Sequence, residues 1–137
     1  KKRTYLYLIT TTKSPFYKNY SYFYLRKIDS EKLNSLSNLF LGEKDFTSFS
    51  RKNSEIENKN CIVYKSFWRK KGELVLFSIQ ASRYLHGMVR TIVGTLLNAQ
   101  DQNDPESFIK EIFNSKNREE AFEAVPAKGL FLYKVEY

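Results

Sequence analysis

Chemistry in this sequence concentrates where arginine meets glycine. In the stretch 80–97 a helical spacing puts Arg83, Gly87, Arg90 and Gly94 on one face. A glycine inside a helix costs about 1 kcal/mol against alanine, a cost that makes sense where something must approach the backbone. The neighbouring face carries Tyr84, Leu85, Met88, Val89, Ile92, Val93, Leu96 and Leu97, the doubled stripe of an amphipathic helix with one buried side. A helix packed closely on a neighbouring strand accounts for the same pattern. Other reactive side chains are few. The single cysteine, Cys61, excludes an internal disulfide, and with one histidine, His86, it makes no zinc site, so no metal is expected. A lone histidine beside an apolar stripe reads as structural ahead of an RNA contact.

Charge narrows the partner. The formal net charge is +8 over 137 residues, and it is uneven. Residues 1–90 hold 18 Lys/Arg against 7 Asp/Glu, whereas residues 91–137 hold 5 against 8. A basic front two-thirds argues for a polyanionic partner, nucleic acid first among them. Ten Tyr and eleven Phe strengthen that reading, because unstacked RNA bases lie against rings. Most of these rings must nevertheless be core. Arg69, Lys70 and Lys71 cluster at one predicted turn, which reads equally as a phosphate contact and as a solvated hairpin tip. Arg51 and Lys52, in a polar tract without periodicity over 50–60, read as solvated loop ahead of RNA contact. No apolar run is long enough to cross a membrane, and no signal peptide is visible. A cytoplasmic protein is expected.

The elements that must position these residues follow from periodicity. Residues 3–10 alternate as a strand, with Tyr5, Tyr7 and Ile9 on one face. A second aromatic strand is expected over 20–26. Asp29 and Ser30 offer N-caps for a helix carrying Leu33, Leu36, Leu39 and Phe40 inward, with Gly42 placed to end it. Phe46 and Phe49 read as anchors of a loop whose backbone Asp45 ties. Residues 61–69 and 73–81 form a hairpin turned at Lys70-Lys71-Gly72. Asp104 and Pro105 open a further helix with Phe108, Ile109, Ile112 and Phe113 inward. A short helical piece is expected over 118–123 and a last strand over 130–137. The expectation is a single α+β domain over 1–137: a mixed, mainly antiparallel sheet of about five strands, with two long helices and a short third on one face.

Several of these pieces resemble the tRNA pseudouridine synthase A family (TruA-type). The resemblance is carried by Lys2-Arg-Thr-Tyr-Leu-Tyr-Leu-Ile9, Leu41-Gly-Glu-Lys-Asp-Phe-Thr-Ser-Phe49, Tyr84-Leu-His-Gly-Met-Val-Arg-Thr-Ile-Val-Gly94 and Val125-Pro-Ala-Lys-Gly-Leu-Phe-Leu132. Each is weak alone; four in the family's order and spacing, over nearly the whole chain, are specific. They correspond to the family's C-terminal half. Two positions depart from its usual pattern, with Tyr84 where phenylalanine is common and Gly87 where a bulky or basic residue often stands.

The resemblance implies an isomerase that converts uridine to pseudouridine in the tRNA anticodon stem-loop, as a homodimer without metal or organic cofactor. Tyr5 then matches the family's active-site tyrosine, placed against the target base to stack on it, to take part in proton transfer, or both. Arg90 matches the arginine that pairs with the catalytic aspartate, keeping it ionised and oriented. Leu85 and Met88 would help line the pocket, and Lys70 and Lys71 would contact RNA. The aspartate itself belongs to an Arg-Thr-Asp-Ala-Gly-type segment of the family's N-terminal half, and none of the 15 acidic residues here has that context. The chain is therefore expected to be an excised C-terminal half, inactive alone, with its own N-terminal half and tRNA as partners. Gly87 and Gly94 would let that other half approach. A non-catalytic RNA-binding module and a dimerisation scaffold are the alternatives.

Overall fold

Alternation at the amino end builds the central strand, β1 (Lys2–Thr10). In this computed structural model, which describes residues 1–52 and 55–137, Tyr7 and Ile9 are fully buried on one face of β1. Leu6 and Leu8, on the other, are half-buried. Asn53 and Ser54, inside the predicted polar loop, lie outside the described residues.

On one side β1 pairs antiparallel with β5 (Leu74–Ala81), Tyr5 opposite Ile79 and Tyr7 opposite Phe77. The hairpin holds as expected. β4 (Asn60–Lys71) turns into β5 through Gly72 and Glu73 and pairs with it antiparallel along its length. Outside β4 lies β3 (Gly42–Asp45), antiparallel. The other side of β1 is shared by β6 (Leu130–Glu136), antiparallel along residues 2–7, and β2 (Tyr22–Phe23), parallel at Ile9 and Thr10.

Three helices complete the fold. Asp29 caps α1 (Ser30–Ser37) by accepting from the Lys32 amide at 3.1 Å. Asp104 caps α3 (Pro105–Ser115) in the same way from Ser107, with Pro105 in the first turn. Between them runs α2 (Met88–Ala99), apolar on nearly every side and buried accordingly. Leu33 and Leu36 of α1 and Ile92, Val93 and Leu96 of α2 share one core with Tyr7, Trp68, Phe77 and Ile79 of the sheet. Residues on the opposite sheet face, such as Leu74 and Leu76, are only half-buried, so the helices cover a single face. This is the α+β architecture expected.

Four readings need correction. The sheet has six strands among the described residues, not five, because residues 42–45 form β3 where a loop was expected. The short helical piece expected over 118–123 is only a three-residue 3-10 turn, Arg118–Glu120, while the helices described are the three of 8, 12 and 11 residues. The expected strand over 20–26 is the two-residue β2, since only Tyr22 and Phe23 reach β1. The amphipathic stretch 80–97 is not one helix: β5 runs to Ala81, a turn occupies 82–87, and α2 begins at Met88. Gly87 is therefore not a helical glycine. It stands at φ 75°, in the left-handed region, where a side chain is strained.

Candidate active site

The turn 82–87 is what brings the opening strand and α2 together. Tyr84 swings back so that its hydroxyl reaches the carbonyl of Arg3 at 2.6 Å and that of Ile79 at 3.0 Å. This fastens the turn to β1 and β5. Burial pushes the Tyr84 phenol well above its usual range, so it stays a donor. From the other end, the Gly87 carbonyl accepts from both the amide and the hydroxyl of Thr91, closing the first turn of α2.

A concave cleft of about 260 Å³ results. Tyr5 on β1, the turn from Tyr84 to Gly87, and Met88 and Arg90 at the start of α2 line it, with Ala127 and Leu130 closing one side. The Tyr5 ring stands edge-on to Tyr84, 4.8 Å between centroids and 79° between planes. That geometry leaves the orientation of Tyr5 fixed by a neighbour rather than by solvent. Leu85 and Met88 are almost wholly buried and form the apolar wall. His86 is exposed on the rim, not a structural core residue.

Arg90 is half-buried, and its orientation is set by the segment that follows α3. Its Nε donates to the Val125 carbonyl at 2.7 Å, and its own carbonyl accepts from the Val125 amide at 3.2 Å. Next door, the Tyr7 hydroxyl donates to the Pro126 carbonyl at 2.5 Å. Burial raises the Tyr7 phenol far above its usual range, against the opposing pull of the Arg90 charge. Among the described residues no carboxylate forms an ion pair with Arg90.

Gly94 has a different task from the one expected. A Cβ there would collide with the carbonyl of Glu123 of this same chain. The close approach accommodates the 123–125 segment, which in turn holds Arg90, rather than another half of the protein.

Of the six site residues expected from sequence, the cleft brings together four: Tyr5, Leu85, Met88 and Arg90. Lys70 and Lys71 are elsewhere. They are exposed at the hairpin tip, where Lys71 pairs with Leu74, five residues along β5 from the partner of Tyr5. At ~3.4 Å per residue that is about 17 Å. Tyr84, His86, Ala127 and Leu130 were missed as cleft residues. Tyr84 lay on an apolar stripe that reads as core, and although His86, Ala127 and Leu130 fall inside the family-like stretches, nothing in their spacing marks them as lining a cleft.

A family model for tRNA pseudouridine synthase matches residues 36–137, three-quarters of the chain, including Arg90 and the 123–126 segment. This chain belongs to the tRNA pseudouridine synthase family. It is similar to tRNA pseudouridine synthase A of Brachyspira hyodysenteriae, 38% identical over 132 residues, covering 94% of this chain and 53% of that protein. It is likewise similar to tRNA pseudouridine synthase A of Borrelia hermsii, at 36% identity over 139 residues, 57% of that protein. A third such relative is tRNA pseudouridine synthase A of Bacteroides fragilis, at 37% over 136 residues, 54% of that protein. The chain thus spans just over half the length of these curated relatives. No helix among the described residues is long and apolar enough to cross a membrane, and no group of His, Cys, Asp and Glu among them is arranged to hold a metal.

Proposed function

We propose that this chain is the C-terminal portion of a pseudouridine synthase acting on uridines of the tRNA anticodon stem-loop, and that it works as a cytoplasmic homodimer. The carrying observation is that Tyr5 and Arg90, 85 residues apart, line one cleft while, among the described residues, the Arg90 guanidinium is anchored through Nε alone. Nε is held by Val125; the remaining donors of the fork suit a carboxylate supplied from outside the described residues.

In this reading the chain supplies position and electrostatics. The reaction breaks the bond between uracil N1 and the ribose C1′ and joins C5 to that carbon, and the C5 proton leaves as N1 gains one. An aspartate from the relatives' other half serves as nucleophile. Arg90 holds it ionised and aimed through a charge-assisted contact. Tyr5 receives the face of the extruded uracil, offsetting part of the cost of unstacking it. Leu85 and Met88 supply the apolar wall against which the base lies. Lys70 and Lys71, some 17 Å along the sheet by the ~3.4 Å strand rise, contact the backbone of a more distant part of the RNA.

The test is direct. The full-length protein should form pseudouridine in an unmodified tRNA transcript without added metal or cofactor, and residues 1–137 alone should form none. Product from the isolated chain, or none from the full-length protein, rejects the proposal.

A further inference from the structure

Away from the cleft, the fold gathers five cations around a second, smaller concavity. Arg51, Lys52, Lys59, Lys116 and Arg118 line it, together with Thr47, Ser50 and Asn117, and none of these lining residues is acidic. They come from segments some sixty residues apart, and two lie in the part of the chain that reads acidic overall. The nearby carboxylates do not balance them. Glu119 pairs with Lys52, and Asp45 meets Lys116 only loosely, at 3.9 Å. One Asp45 oxygen is already committed to the Thr47 amide and hydroxyl. Of the five cations, only Lys52 and Lys116 have a carboxylate within ion-pair distance among the described residues. Burial alone would raise the Asp45 carboxyl; the Thr47 bonds and the charges of Lys116 and Lys59 hold it below its usual range instead, which registers the convergence of those two lysines.

The arrangement is braced. Ser48, fully buried, donates to the Ile112 carbonyl at 2.6 Å and accepts from the Asn117 amide at 3.0 Å. That bond staples the turn 47–49 to the segment after α3. Lys116 takes a left-handed conformation at φ 49°, which turns the chain back toward the turn. Like charges held together in this way cost stability, and the cost is offset when a polyanion occupies the site. The concavity is also tied to the cleft: the Arg51 amide donates to the carbonyl of His86, the residue on the cleft rim, at 2.9 Å.

We infer that this concavity is a second RNA site, which grips the sugar–phosphate backbone beyond the nucleotide held in the cleft. It rests on the reading that the substrate is tRNA. Its volume of about 150 Å³ is below the roughly 300–1,000 Å³ of small-molecule pockets, so it admits a group rather than a molecule. Its lining is lysine, arginine, hydroxyl and amide, the chemistry that meets phosphate. It has no aromatic or aliphatic anchor of the kind that centres a protein interface. The track from Tyr5 past His86 to Lys116 and Arg118 gives a bound stem a direction across the surface.

The experiment uses the full-length protein and unmodified tRNA transcript, comparing wild type with Lys59→Gln at a half-buried position, Lys116→Asn at an exposed one, and the double variant. Asparagine tolerates the left-handed conformation at 116, and unchanged melting temperatures verify folding. Affinity measured from about 50 to about 200 mM salt should fall in the double variant, with the logarithmic salt slope reduced by about 1 for each phosphate no longer neutralised. KM should rise several-fold with kcat at saturation retained. Unchanged affinity and slope in a folded double variant overturn the inference, as does a variant that binds tRNA normally but weakens association with another protein segment. A wild-type protein that makes no pseudouridine defeats the proposed function instead, and is recognised before any variant is compared.

Discussion

Arg90 and Val125 bond to each other twice. The backbone carbonyl of Arg90 accepts from the Val125 amide, and the Arg90 Nε donates to the Val125 carbonyl at 2.7 Å. The residue assigned to orient a carboxylate is therefore also a strut for its own chain. Arg90→Gln should lower stability by about 1–2 kcal/mol, the worth of a half-buried charged hydrogen bond. That is a drop of several degrees in melting temperature, roughly 2–8 °C per kcal/mol. Turnover should fall more than about 100-fold, beyond what so small a loss of folded protein explains. Calorimetry beside a pseudouridine assay separates the two roles: a lowered melting point with intact turnover would leave Arg90 as a strut only.

The two glycines of this region should respond differently to the same change. Gly94→Ala gains about 1 kcal/mol of helix propensity but drives a methyl group into the Glu123 carbonyl, an overlap worth about 1–3 kcal/mol or more. Net destabilisation and reduced turnover are expected, because Val125 moves with Glu123. Gly87 has open space beyond its Cα, so Gly87→Ala meets only the left-handed penalty of about 1–2 kcal/mol, and Gly87→Asn much less. Denaturant midpoints rank the three variants. Gly94→Ala proving as stable as wild type would mean that the 123–125 segment does not press on α2.

Tyr5 is set edge-on to Tyr84 with its ring in the cleft. If the ring is a platform for a base, Tyr5→Phe keeps tRNA affinity and Tyr5→Ala loses it by about 1–3 kcal/mol, the usual worth of one stacked base. Equilibrium binding of a tRNA transcript to the full-length protein measures this. Equal affinity for the Phe and Ala variants would remove the platform role.

Alkaline pH should unfold this protein earlier through Tyr7. Burial holds its phenol protonated in the folded chain, far above the value of about 10 in the unfolded chain. Above that pH the unfolded state releases a proton that the native state retains, so stability is full below about pH 10 and declines as pH rises. Tyr7→Phe should cost about 1 kcal/mol at neutral pH by losing the bond to Pro126. It should also flatten the decline above pH 10. Urea midpoints from pH 7 to pH 11 would reveal the slope; an unaltered slope in Tyr7→Phe would assign the alkaline loss to other groups.

Local signals carried much of this fold in the sequence itself. Strict alternation wrote β1 and the β4–β5 hairpin, because a strand half-buried on one face must repeat every two residues. Asp29 and Asp104 wrote the starts of α1 and α3, because a helix leaves amides that a nearby carboxylate satisfies. Four motifs in order pointed to the family and to Tyr5 and Arg90 as partners. Other features needed distance in space. The apolar stripe from Tyr84 to Leu97 is continuous in sequence yet crosses from turn to helix at Gly87, since buried side chains look alike in either conformation. β3 carries Glu43, Lys44 and Asp45 and exists only because β4 offers its edge. Whether Gly94 receives another half or its own residue 123 was a question of packing, not pattern. Least legible of all was the basic concavity: charge sums along a chain, but fields add across space, and only the fold set Lys116 and Arg118 beside Arg51 and Lys59.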